Sequence, residues 1–125
     1  MNKIIIDNIY IYNNDKISYK KSAINKRFMA IIYFRENNKA KYKTIRFGLE
    51  GAFTYLDGAP EEKRINYIKR HEVREDFKNP LSGGFYSRWF IWEYRKNEMK
   101  KILKNMMNQS KYKIKQIEVD KDIII

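Results

Sequence analysis

Arg27, Tyr33, Arg35, Tyr42 and Arg46 interleave cations with aromatics in one stretch of the chain. Guanidinium groups neutralise phosphates and phenol rings stack on bases, with stacking worth ~1–3 kcal/mol per base, so the pattern points to nucleic-acid binding. Lys41 and Lys43 flank Tyr42 and extend the set. Further on, Lys63, Arg64, Lys69, Arg70 and Arg74 place cations at several helical angles. Taken singly, each reads as part of a solvated face paired to Glu61, Glu62, Glu72 or Glu75. Taken with the strand residues, they would enlarge a phosphate-binding surface.

Other chemistry has less to work with. The chain has no cysteine and a single histidine, His71. That rules out a disulfide framework, a thiol nucleophile and a zinc knuckle, and leaves any histidine chemistry to one residue. His71 reads as a capping or charge-paired side chain rather than a general base. A metal-dependent nuclease would have to draw on Asp57, Glu61, Asp76 and His71, whose spacing matches no familiar site. The sequence therefore implies no cofactor and no metal. Gly83-Gly84 near a helix start offers backbone amides to a phosphate, without a fuller motif around them. Phe85, Tyr86, Trp89, Phe90 and Trp92 read as core packing rather than an aromatic cage. Arg88 among them reads as a buried cation paired to Glu72 or Glu93.

The charge is unevenly placed. Across 125 residues, 27 basic side chains face 15 acidic ones, for a net charge of +12. Residues 16–49 hold ten basic groups and one acidic, whereas residues 60–104 hold twelve and seven. A local excess of that size repels itself unless an anionic partner offsets it. Aromatic residues make up 15% of the chain, which argues against a disordered basic tail. The longest apolar runs are too short to span a membrane or to form a signal-peptide core, so a soluble intracellular protein is expected.

The elements that must position these groups follow from periodicity. Ile9 to Tyr12 and Lys16 to Lys21 flank Asn13-Asn14-Asp15 and predict a hairpin. Lys26 to Arg35 and Ala40 to Gly48 predict a second, closed by Asn37-Asn38, because asparagine tolerates the left-handed backbone of a two-residue loop. That register sets Glu36 opposite Lys39, Tyr33 opposite Tyr42, Ala30 opposite Ile45 and Phe28 opposite Phe47. Phe28, Ala30, Ile32, Phe34, Ile45 and Phe47 then share one side with Lys41 and Lys43. Arg27, Met29, Ile31, Tyr33 and Arg35 take the other, with Arg46, Thr44 and Tyr42.

After a loop over Gly48 to Ala59, Pro60 and Glu61-Glu62 start a helix expected to run to Glu75, with Ile65, Ile68 and Glu72 on one face. The aromatic block from Gly84 to Arg95 predicts a buried helix. Asn97 is expected to cap a last helix carrying Met99, Ile102, Leu103, Met106 and Met107. Tyr112 to Val119 predicts a strand, and Ile123 to Ile125 would join a sheet edge or a partner. The methionine stripe and that isoleucine end make a homodimer an expected partner arrangement. The class is α+β: a single domain over residues 1–125, with an antiparallel β-meander in the N-terminal half packed against two or three helices, and a C-terminal strand.

The middle of the chain carries a motif with specific joint spacing. Arg46, Phe47, Gly48, Gly51, Tyr67, Ile68, Arg70 and His71 form its first part. Pro80, Gly84, Phe85, Ser87, Arg88, Trp89 and Trp92 form its second. This resembles a family of small basic proteins of unknown function encoded by nucleocytoplasmic large DNA viruses, the giant viruses of amoebae and algae. The resemblance implies a viral protein, packaged in the virion or acting in a cytoplasmic viral factory. Three functions are consistent with the residues. The first is a non-enzymatic protein that contacts the phosphates of a nucleic acid, DNA before RNA, with low sequence specificity. A structural protein of the virion that meets an acidic protein or an anionic membrane surface is the second, and the small nuclease is the third.

Overall fold

The computed structural model describes residues 3–14 and 25–124. They fall into two compact units, residues 1–50 with 112–125, and residues 51–111. The first is a four-stranded mixed sheet and the second is helical, giving an α+β chain.

In the sheet, β1 (Ile4–Asn13), β2 (Lys26–Glu36) and β3 (Lys39–Leu49) form an antiparallel meander. The short β4 (Ile117–Val119) runs parallel to β1, and the order is β3-β2-β1-β4. Asn37 and Asn38 have φ of 51° and 69°, the paired left-handed conformation of a type I′ turn, whose twist matches that of the strands it joins. The turn fixes the expected register: Glu36 lies opposite Lys39, Tyr33 opposite Tyr42, Ala30 opposite Ile45 and Phe28 opposite Phe47. Phe28, Ala30, Ile32, Phe34, Ile45 and Phe47 are all buried, while Lys41 and Lys43 on the same side are exposed.

The first strand is longer than its alternation predicts. Ile6 and Ile9 lie opposite Phe34 and Ile32 on the same face though three residues apart, which a regular strand cannot achieve. A bulge between Ile6 and Asn8 takes up the extra residue, so Ile6, Ile9 and Ile11 reach one face. The strand expected over Lys16 to Lys21 lies outside the described residues. Antiparallel β2 and parallel β4 occupy the two edges of β1. The C-terminal strand is shorter than Tyr112 to Val119; it is preceded by an isolated bridge from Ile114 to Ile6. The isoleucine end is helical rather than extended. It forms α4 (Lys121–Ile124), with Ile123 buried, Ile124 exposed and Ile125 outside the described residues.

In the second unit a 3₁₀ turn over Tyr55–Asp57 precedes α1 (Glu61–His71). The helix stops at His71, short of Glu75, and its buried side chain is Tyr67, whereas Ile65 is exposed. Ring stacking explains the choice of face. Tyr67 lies between Trp92, at 4.9 Å and 10° between planes, and His71, at 4.3 Å and 25°. Next, α2 (Gly83–Tyr86) continues as a π-helical turn over Ser87–Ile91. Gly83 and Gly84 stand in its first turn. A Cβ at Gly84 would come within 3.1 Å of the Glu75 side chain, a tight approach that would ask that side chain to shift. Phe85, Tyr86, Phe90 and Ile91 are buried, and the Tyr86 hydroxyl donates to the Pro80 carbonyl at 2.6 Å. A 3₁₀ turn over Lys96–Glu98 leads into α3 (Met99–Gln109). The Glu98 carboxylate accepts from the Arg95 backbone N–H, a capping role expected of Asn97. Met99, Ile102 and Met106 are buried, and Met107 is exposed. No helix among the described residues is long and apolar enough to cross a membrane.

The π turn ends with Trp92 out of helical geometry, and its carbonyl accepts from Arg64 Nε at 3.0 Å and Arg88 Nη1 at 3.4 Å. Both guanidiniums also reach the Glu93 carboxylate. Arg88 is 8% exposed and lies 4.1 Å over the Trp89 ring. Burial lowers its pKa, with Glu93 working against the shift; for Arg64 the carboxylates of Glu93 and Glu61 outweigh burial and raise it. Of the two partners expected for Arg88, Glu93 is the one that serves.

Two measurements test this account. Asn38→Val should lower unfolding stability by about 1–2 kcal/mol in urea titrations, while Asn38→Gly leaves it level or raises it. Glu93→Ala strands two guanidiniums and should cost about 3–5 kcal/mol, well above Glu61→Ala, which removes an exposed partner.

Candidate functional site

The side of the sheet opposite the apolar residues holds the interleaved residues. Strand parity brings Tyr33, Arg35, Tyr42 and Arg46 to it. The β1 register adds Tyr10, opposite Ile31, and Tyr12, opposite Met29, to the same side. The rings form a diagonal row across three strands. Tyr12 and Tyr10 stack at 6.5 Å, Tyr10 meets Tyr33 edge-on at 6.0 Å, and Tyr33 meets Tyr42 at 6.2 Å with a 36° tilt. Exposure rises along the row. Tyr10 and Tyr12 are half-buried, Tyr33 is 45% exposed and Tyr42 71%. Burial raises the pKa of the Tyr12 hydroxyl.

Cations flank the row, and several are already engaged. Arg35 forms two 3.0 Å bonds to Asp7, through Nε and Nη2. Lys115 reaches the same carboxylate at 3.2 Å. The bulge in β1 presents Asp7 to both, and their hydrogen bonds hold its carboxyl below the ordinary value of 3.8. Arg46 donates from Nε to the Asn14 side-chain oxygen at 3.2 Å, and Asn14 in turn donates to the Lys26 carbonyl at 3.1 Å. The Arg27 guanidinium lies 4.7 Å from the centre of the Phe28 ring, a residue of the apolar side, and so leans away from the tyrosines. Glu118 of β4, beside Tyr10, adds one negative charge.

The remaining candidates are elsewhere. Lys41 and Lys43 are on the opposite side of β3, with Lys41 paired to Glu36 at 2.7 Å. Lys63, Arg64, Lys69, Arg70 and Arg74 belong to the helical unit. Among them Arg64 is committed to Glu61, Glu93 and the Trp92 carbonyl, and Lys63 lies 5.7 Å over the Phe53 ring. Lys69, Arg70 and Arg74 are exposed.

The residues of the nuclease alternative have separate tasks. Asp57 accepts from the Thr54 backbone and hydroxyl, and Glu61 pairs with Arg64. Asp76 pairs with Lys111 at 2.9 Å, while His71 faces Glu75 at 3.5 Å. Among the described residues no three His, Asp or Glu side chains gather to hold a metal ion. The Glu75 side chain lies close beside Gly84 in the first turn of α2.

Sequence reasoning missed Tyr10 and Tyr12. Their alternation with Ile9 and Ile11 was the available signal, but it fixes a face only once β1 is paired to β2 rather than to the segment that follows it.

Residues 18–71 match the model of a family described as a Family of unknown function (DUF5754). That span contains β2, β3 and α1, with the arginines and exposed tyrosines of the sheet. No curated protein and no solved structure matches the chain.

Because the Asp7 pKa is depressed in the folded state, its contribution to stability is complete above about pH 4 and is lost as pH falls through the folded pKa. Asp7→Asn should therefore lower Tm at neutral pH and shrink the fall in Tm on acidification below pH 4, read by thermal unfolding across that range.

Proposed function

We propose that this chain is a non-enzymatic nucleic-acid-binding protein that uses the tyrosine side of its sheet. One observation carries the reading: aromatic rings of growing exposure cross three adjacent strands, with Arg46 and Arg35 beside them. A net charge of +12 draws a polyanion to such a surface, and most of the local excess lies in residues 16–49, the part of the chain that supplies β2 and β3. Phosphate contacts from arginine carry no sequence information, so low sequence specificity goes with the arrangement. We place this activity in a virus. The motif between Arg46 and Trp92 resembles small basic proteins of nucleocytoplasmic large DNA viruses, which supports a role in the virion or in a cytoplasmic viral factory.

Two features limit the electrostatic share. Asp7 already answers Arg35 and Lys115, and Arg27 leans to Phe28. Phosphate binding then falls chiefly to Arg46, which gives up only a neutral amide, and to whatever fraction of Arg35 exchanges Asp7 for phosphate.

Fluorescence anisotropy with labelled oligonucleotides at stepped salt tests the reading. Affinity should fall with salt, and Arg46→Ser should flatten the log–log slope by about 1. Salt-independent binding, or no binding to any nucleic acid, overturns it.

A further inference from the structure

We infer that the nucleic acid accepted by this face is single-stranded, and that its bases rather than its phosphates supply most of the hold. This rests on the reading proposed above and specifies its ligand.

The rings themselves favour base faces. Tyr42 and Tyr33 lie opposite each other on neighbouring strands, 71% and 45% exposed, with centroids 6.2 Å apart. Each can take one base, so the pair takes two adjacent nucleotides. Behind them Tyr10 meets Tyr33 edge-on at 6.0 Å and stacks on Tyr12 at 6.5 Å. The exposed pair thus stands on a half-buried aromatic footing. A tyrosine has few rotatable bonds, and a footing of this kind restrains them before the ligand arrives, so little conformational entropy is left to lose on binding.

A duplex gives such a surface little to hold. Its base faces are stacked on one another, and what it presents along its length is phosphate ridges and base edges. Binding it requires several cations free to neutralise phosphates. Here Asp7 holds Arg35 and Lys115, Glu118 adds an anion beside Tyr10, and Lys41 and Lys43 belong to the far side of β3. Stacking, by contrast, needs no charge at all and tolerates any base, because every base has a π-face. Where aromatic surface is plentiful and cations are largely engaged, a single strand is the ligand that fits.

The test titrates the full chain with a labelled oligothymidylate, an oligouridylate and a blunt duplex of matched length. Either single strand should bind about tenfold or more tightly than the duplex. The double variant Tyr33→Ala, Tyr42→Ala should lose about tenfold or more for the single strands and leave the weak duplex binding unchanged. Both positions are exposed, so the variant should fold, and circular dichroism checks that it does. The companion variant Tyr33→Phe, Tyr42→Phe should keep single-strand affinity within about threefold, because the ring and not the hydroxyl is used. Duplex binding as tight as single-strand binding, an alanine variant that binds single strands normally, or a phenylalanine variant as weak as the alanine one each overturns the inference and leaves nucleic-acid binding standing. Failure of all three probes to bind removes the proposed function together with it.

Discussion

Strand parity is the constraint on which the sheet depends. Successive side chains point to opposite faces, so a shift of one residue would send the phenylalanines of β2 and β3 into water and the tyrosines inward. The Asn37-Asn38 turn prevents that shift, because two left-handed residues close a hairpin only with Glu36 opposite Lys39. In β1 the same parity is reset once, at the bulge beside Asp7. Without it either Ile6 or Ile9 would leave the apolar side. The bulge also aims Asp7 at Arg35 and Lys115, so one irregularity settles both the core and the charge balance of the opposite face.

In the helical unit the corresponding constraint is the carboxylate of Glu93. Two guanidiniums in a partly buried place need an anion and acceptor oxygens, and Glu93 and the Trp92 carbonyl supply them. The π-helical turn makes that carbonyl available by ending at Ile91. Trp92, released from the helix, completes a stack with Tyr67 and His71. Arg64, Tyr67 and His71 are spaced so that one side of α1 meets all three demands.

Local patterns were legible where partners are near in sequence. The β2–β3 register, the two faces it creates and the start of α1 after Pro60 could all be read from residues within a few positions of a turn or cap. Long-range pairing could not. The parallel pairing of β1 with β4, more than a hundred residues away, leaves no periodic trace. Asp7 hid the first half of β1, because a carboxylate between isoleucines reads as a break until Arg35 and Lys115 are seen around it. The close approach of Glu75 to Gly84 left no sign either, since it belongs to the fold and not to the neighbouring residues. At the site, the exposed tyrosines were foreseen and their support from Tyr10 and Tyr12 was not. The arginines were foreseen without their partners, Asp7 within β1 for Arg35 and Asn14 just past its end for Arg46.

Among the described residues β3 lies at the rim of the sheet, and that position has another effect. An outermost strand of eleven residues presents a line of backbone donors and acceptors that a second identical strand could satisfy, the route by which sheets zip into fibrils. Lys39, Lys41, Lys43 and Arg46 line that rim, so two copies brought edge to edge would set like charges against one another. The cations of β3 therefore act as guards against self-assembly whether or not they ever touch a ligand, and a polyanion that masked them would lift that protection.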